Sequence, residues 1–215
     1  MKETFSDLDY KEKYQLGAVN SVNWARVLAQ IVYYGYASLK MPAAAQFSVP
    51  TGNFGNVFAA YLAQRMGFPI DKLIVATNDN DILARFFLTG EYALGRVHQT
   101  LAPAMDIQVA SNFERFLYYY FEQDSQRLNA FMSDFAATGC ATLGAAPDTA
   151  LFEAVAIDQL QTLSVMRSIK AQFGYVLDPH TAIGVAAAQR VCTAEELVLC
   201  IATAVSYTHL RAHET

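Results

Sequence analysis

With 215 residues, 53% of them hydrophobic and 16% charged, the chain has ample apolar material for a buried core, which excludes an intrinsically disordered protein. A formal net charge of −5 without any dense basic run removes the attraction that nucleic acid or an anionic membrane surface requires. Apolar stretches are broken by Gln, Asn, Arg or Gly well short of the ~20 residues that span a bilayer. Three scattered cysteines, Cys140, Cys192 and Cys200, fit reduced thiols, and no Cys or His pair has structural metal-ligand spacing, so no metal is expected. The opening, Met1 to Tyr14, is polar and charged where a leader would be apolar, and the expectation is a cytoplasmic protein. Oligomeric state is left open.

Residues 15–19 read as a short strand running into Ser21-Val22-Asn23-Trp24, where Ser21 or Asn23 caps a helix predicted over 24–39. Val27, Leu28, Ile31, Val32 and Gly35 recur there at helical spacing, and Met41-Pro42 stops the helix. A β-prone run at 46–49 meets the turn Pro50-Thr51-Gly52-Asn53-Phe54-Gly55-Asn56. A helix over 57–66 follows, with Gly67 at its C-terminus and Pro69 beyond. Residues 72–76 form the next strand and 80–88 the next helix, with Asn78 as its cap. Strand, loop, helix and strand joined by short connections predict an α/β domain with a parallel sheet. Residues 90–106 show no period and read as a long excursion. Helices are predicted at 111–121 (capped by Ser111 or Asn112), 128–135 and 160–173, and an alanine-rich one at 181–190 lies behind Asp178-Pro179-His180. The four successive aromatics from Tyr118 read as core and packing surface, and a buried strand at 196–202 closes the pattern. No repeat or low-complexity linker interrupts what reads as one α/β unit with a helical insertion.

The segment Ser48-Val-Pro-Thr-Gly-Asn-Phe-Gly-Asn56 carries the most chemistry. A strand enters a turn with two glycines, and the turn opens a helix whose first N–H groups lack helical partners and carry partial positive charge. Gly52 and Gly55 let the backbone approach an anion without a Cβ in the way. Thr51, Asn53 and Asn56 add side-chain donors, or Asn53 and Asn56 cap the helix. The sequence alone leaves two readings: a phosphate or carboxylate site, or a tight strand-to-helix turn whose glycines serve geometry. No Gly-Lys-Ser/Thr closes the loop and Gly-x-Gly-x-x-Gly is absent, so a nucleotide is disfavoured and a small phosphorylated ligand or cofactor remains.

Further motifs run from about residue 10 to residue 204. They are Asn20-Ser-Val-Asn-Trp-Ala-Arg26 with Gln30, Val49-Pro-Thr-Gly-Asn-Phe-Gly-Asn56, Gly67-Phe-Pro-Ile-Asp-Lys-Leu-Ile-Val-Ala-Thr-Asn-Asp-Asn-Asp-Ile-Leu83, Ser111-Asn-Phe-Glu-Arg115 and Asp178-Pro-His-Thr-Ala-Ile-Gly184. In that order they resemble threonine synthase of the bacterial and fungal type. The resemblance implies a partial tryptophan-synthase-β-like, fold type II architecture. It also implies pyridoxal 5'-phosphate (PLP) as cofactor, and conversion of O-phospho-L-homoserine and water to L-threonine and phosphate. It maps the cofactor's phosphate onto Gly52, Asn53, Phe54, Gly55 and Asn56, in agreement with the helix-terminus argument. It also maps a hydroxyl facing the pyridine nitrogen onto Thr203, which without the family reads as an ordinary strand-end residue.

Asn23 and Arg26 fall on the family's active-site side as substrate-binding candidates, although Arg26 reads equally as a surface ion-pair partner. His180 reads as a general base or as a structural hydrogen-bonding residue. Asn78, Asp79, Asn80 and Asp81 follow a strand where ligands gather, but capping the next helix accounts for them.

Two departures from the family matter. Its Schiff-base lysine stands in an upstream Phe-Lys-Asp segment with no counterpart here. Lys2, Lys11, Lys13, Lys40, Lys72 and Lys170 sit in unrelated contexts, so no catalytic residue is assigned and the chain alone is expected to be inactive. After Ala204 the sequence leaves the family's pattern. Residues 1–204 therefore read as a partial domain lacking its N-terminal half, and 205–215 as a foreign tail in which the i, i+4 pair His209 and His213 has no function. The alternatives to threonine synthase are a related phospho-lyase that makes no threonine and a non-catalytic ligand-binding or structural remnant.

Overall fold

The computed structural model describes residues 13–14, 20–147, 150–193 and 195–203. The strand expected at 15–19 and the tail at 205–215 lie outside these residues. In chain order the elements are helix α1 (Trp24–Ser38), strand β1 (Ala45–Pro50), α2 (Gly55–Arg65), β2 (Ile70–Thr77), α3 (Ile82–Thr89) and β3 (Glu91–Ala93). A 3-10 turn at Pro103–Met105 precedes α4 (Phe113–Tyr120), α5 (Ser125–Thr138), β4 (Cys140–Thr142), β5 (Phe152–Ala156), α6 (Gln159–Phe173), α7 (Pro179–Val191) and β6 (Val198–Cys200).

Strands β5, β2, β1 and β6 lie side by side in that order, and every neighbouring pair is parallel. Alternation along β2 sends Leu73 and Val75 to one face and Ile74 and Ala76 to the other, as the pleat requires. The first face carries α1 to α5 and a dense aromatic core. In it Phe86 meets Phe113 edge-on at 4.7 Å between ring centroids, and Phe87 stacks on Phe152 at 4.8 Å. Such offset and edge-on pairs add to the burial of large rings. Phe121 is buried in this core and Tyr118, Tyr119 and Tyr120 pack against it, as their spacing predicts. The second face is covered by α7, through Ile183, Ala186 and Ala187. Helices on both faces of a parallel sheet confirm the α/β expectation.

Several local expectations are corrected. Strand β5 was not expected; it is short and interrupted by Glu153, whose carboxylate pairs with Lys72 on the adjacent strand at 3.2 Å. The stretch 90–106 is not featureless, because β3 leaves it to form an antiparallel ribbon with β4. The closing strand spans only Val198–Cys200, and its residues are half-buried because it is the edge of the sheet. Asn23, rather than Ser21, caps α1, accepting from the Ala25 N–H at 2.9 Å. Helix α3 starts later than predicted, and Asn78 does not cap it. Asn78 and Asn80 instead donate to Asp106 at 2.6 and 3.1 Å in a polar knot that Thr100 joins. Asn112 occupies the N-cap position of α4 without a side-chain capping bond.

Candidate functional site

Strand β1 adjoins β2 on one side and β6 on the other, and the chain leaves β1 only toward β2. Ligands of open α/β sheets gather at such a point, outside the carboxyl ends of the strands. The last sheet bond here runs from the Thr51 N–H to the Ala76 carbonyl at 2.9 Å. Beyond it opens a cavity of about 220 Å³ whose wall is formed by residues 50–56, with Arg26, His180, Thr181 and Thr203 contributed by other elements.

Helix α2 opens with Gly55, earlier than expected, and no side chain caps it; neither Asn53 nor Asn56 takes that role. The residue before it, Phe54, has φ 61, a left-handed conformation that costs any residue with a Cβ. Its ring is fully buried, 5.3 Å from the Phe113 ring and 5.6 Å from the Phe116 ring, and this packing holds the backbone in the strained region. The first bond of the helix runs from the Phe58 N–H to the Phe54 carbonyl. The main-chain N–H groups of residues 52–57 donate to no acceptor among the described residues, and all of these residues but Val57 line the cavity. A run of unpaired amides at a helix N-terminus is an anion cradle.

Close packing fixes the loop. A Cβ on Gly52 would stand 2.9 Å from the Cα of Met105 and 3.0 Å from the carbonyl oxygen of Ala104, and one on Gly55 would stand 3.2 Å from Nδ2 of Asn112. Asn112 is fully buried and ties two walls together. Its main-chain N–H and its Nδ2 donate to the Asn53 carbonyl at 3.0 and 3.1 Å, and Nδ2 also donates to the Ser21 carbonyl at 2.7 Å. Arg115 donates to Oδ1 of Asn112 at 2.6 Å and to the Val22 carbonyl at 2.8 Å. The Ser111 hydroxyl donates to Oδ1 of Asn53 at 3.0 Å. Ser111 and Asn112, expected as helix caps in Ser111-Asn-Phe-Glu-Arg115, instead hold the loop. Their positioning role depends on contacts more than 50 residues away in sequence, which spacing cannot reveal.

Asn56 and Thr203, both expected at the site, meet here. Nδ2 of Asn56 donates to Oγ1 of Thr203 at 2.9 Å, while Oδ1 of Asn56 accepts from the Tyr34 hydroxyl at 3.1 Å. Burial pushes the Tyr34 phenol well above its usual range, so it stays a neutral donor and orients the Asn56 amide. Arg26 is exposed on the cavity wall, and no carboxylate pairs with it among the described residues. Asn23 lies outside the cavity wall and serves as the cap of the helix that carries Arg26.

Nδ1 of His180 lies 3.3 Å from Oδ1 of Asp178, and Asp178 caps α7 by accepting from the N–H groups of His180 and Thr181 at 2.9 and 3.2 Å. None of the described lysines lines the cavity. Among the described residues no metal-binding cluster occurs, and no helix is long and apolar enough to cross a membrane.

A parallel sheet covered by helices on both faces is shared with the fold type II PLP enzymes, and the chain has that class of fold. Maize serine racemase shares that fold, with a TM-score of 0.59 at 14% identity over 98% of this chain and 61% of its own. Within the class the chain is a homologue of threonine synthase. It is 44% identical over 195 residues to the threonine synthase of Pseudomonas aeruginosa, a match that covers 88% of this chain and 42% of that protein. The structure of PLP-bound threonine synthase from Brucella melitensis superposes with a TM-score of 0.88 at 42% identity, covering 94% of this chain and 45% of that one. No family model matches. The chain spans about 42% of the length of the curated relatives it matches.

Proposed function

We propose that residues 52–56 hold the phosphate of PLP, and that the chain contributes this half-site to a cytoplasmic enzyme converting O-phospho-L-homoserine and water to L-threonine and phosphate. The observation that carries this reading is the run of main-chain amides at residues 52–57 without protein acceptors, five of them in the cavity wall. Fixed donors of this kind bind a phosphate dianion without reorganisation. The donor set fits the other end of the cofactor as well. Thr203 accepts from Asn56 through Oγ1, which leaves its own hydroxyl proton for an unprotonated ring nitrogen. Bound PLP supplies the electron sink for carbanion chemistry at the substrate. The protein's part is positional: Tyr34 orients Asn56, Asn56 orients Thr203, and Asn112 holds the loop. Arg26, unpaired among the described residues, binds the phosphate or carboxylate of the substrate, while Asn23 caps the helix that presents Arg26.

Titration of the chain with PLP and with unphosphorylated pyridoxal, followed by fluorescence quenching, tests the cradle. PLP is expected to bind at least about tenfold more tightly, to be displaced by inorganic phosphate and to be removed by dialysis. Equal affinity for the two ligands rejects the cradle. The reaction is tested with a chimaera in which the chain replaces the matched residues of the Pseudomonas aeruginosa protein. Threonine and phosphate released together from O-phospho-L-homoserine support the synthase, whereas phosphate without threonine supports the phospho-lyase alternative.

A further inference from the structure

Two carboxamides flank the Cα of Gly55. A methyl built there would stand 3.2 Å from Nδ2 of Asn112 and 3.6 Å from Oε1 of Gln30. The first is engaged within the protein, because Asn112 donates to the Asn53 and Ser21 carbonyls and accepts from Arg115. The second is not. The side chain of Gln30 makes no hydrogen bond to any described residue, although it is half-buried and lines the cavity. Asn53 and Asn56, also on the wall, have their amide oxygens bonded to Ser111 and Tyr34. Gln30 therefore differs from the other carboxamides around the loop in keeping its whole hydrogen-bonding capacity for what enters the cavity.

We propose that Gln30 donates from Nε2 to the phosphate held by residues 52–56, a role that rests on the reading of that loop as the cradle for PLP. A half-turn about the terminal side-chain bond exchanges Oε1 and Nε2, so a carboxamide whose oxygen lies against Gly55 brings its nitrogen to the same spot. Gly55 opens α2, and its N–H is among the amides without a protein acceptor. The side-chain donor thus reaches the cradle from a second element, α1, which packs against α2. A neutral donor suits this place. Arg26 lies four residues earlier on the same face of α1, about 6 Å along the helix axis. An amide at Gln30 strengthens the hold on the cofactor's phosphate without adding a second cation to compete for the anion of the substrate. Helix α1 then reads two anions one turn apart, the substrate's at Arg26 and the cofactor's at Gln30.

The test measures the affinity for PLP and for unphosphorylated pyridoxal in the parent chain, in Gln30→Met and in Gln30→Glu. Methionine keeps the length of the side chain and removes the donor. Loss of one hydrogen bond to a charged group should weaken PLP binding about tenfold in Gln30→Met. A carboxylate facing the dianion should weaken it by at least about a further tenfold in Gln30→Glu, and pyridoxal binding should be unchanged in both. The melting temperature of Gln30→Met should match that of the parent, since the side chain has no described protein partner to lose. Equal affinity of the parent for the two ligands rejects the cradle, and the role of Gln30 with it. A parent that prefers PLP, beside variants that bind it as tightly as the parent does, rejects the role of Gln30 alone. An equal loss for PLP and pyridoxal, or a fall in melting temperature in Gln30→Met, also overturns it, because the carboxamide then shapes the cavity or bonds to protein.

Discussion

Asn112 joins two backbone carbonyls that belong to opposite walls of the cavity, at Asn53 and Ser21. Replacing it with alanine strands the Ser21 carbonyl, leaves the Asn53 carbonyl only the main-chain N–H of residue 112 and takes one of two partners from Arg115, at a cost of about 2 kcal/mol, the usual penalty for buried groups left unsatisfied. Urea denaturation of the Asn112→Ala variant should show that loss, and a PLP titration should show affinity reduced by about tenfold. Unchanged affinity in a destabilised variant would confine Asn112 to a purely structural role. Gly52 makes a sharper claim. Its added methyl would meet main-chain atoms of Ala104 and Met105 rather than a flexible side-chain tip, so loop or turn must shift. Gly52→Ala is expected to reduce PLP affinity at least about tenfold while costing only about 1–3 kcal/mol of stability, read by the same titration and a thermal melt.

At the scale of elements, α7 is held by its cap. Burial opposes the charged form of Asp178, but hydrogen bonds from His180 and Thr181 outweigh it and leave the carboxyl below its ordinary value. A depressed folded pKa contributes stability that is fully present above the unfolded value near about 3.9 and disappears as pH falls through the folded one. The melting temperature should therefore drop on acidification from about pH 5 to about pH 2. That drop should be smaller in Asp178→Asn, and Asp178→Ala should lose about 1–2 kcal/mol at neutral pH.

This cap was legible in the sequence, since Asp178-Pro179 is a strong local start signal. So were β1, β2 and the loop between them, because turn glycines and an apolar run are local features. Strand β5 was not, because a five-residue run carrying Glu153 becomes a strand only through pairing with β2. The Asn78–Asn80–Asp106 knot escaped for the same reason. Asparagine after a strand looks like a cap until the distant aspartate that claims it is known. At the site, Thr203 was legible through the resemblance alone, and the Tyr34–Asn56 relay that orients it depends on contacts 22 and 147 residues apart in sequence.

At the scale of the whole molecule, β6 is a short attachment at the edge of the four-stranded sheet: it pairs with β1 through Gln46, Phe47 and Ser48 before Ile201 adds one bond to the Ser48 carbonyl. Edge amides at Val198–Cys200 should exchange with deuterium well before those of β2, which is paired on both sides. A bound PLP that engages Thr203 should slow them selectively, as hydrogen-exchange mass spectrometry would record. Phe54 couples the site to the interior differently. Its left-handed backbone exists only while its ring is locked among Phe113 and Phe116, so the cradle is a property of tertiary order and not of helix content. In an acid or mild-denaturant molten globule, far-ultraviolet ellipticity should persist while phosphate recognition vanishes together with the near-ultraviolet aromatic signal.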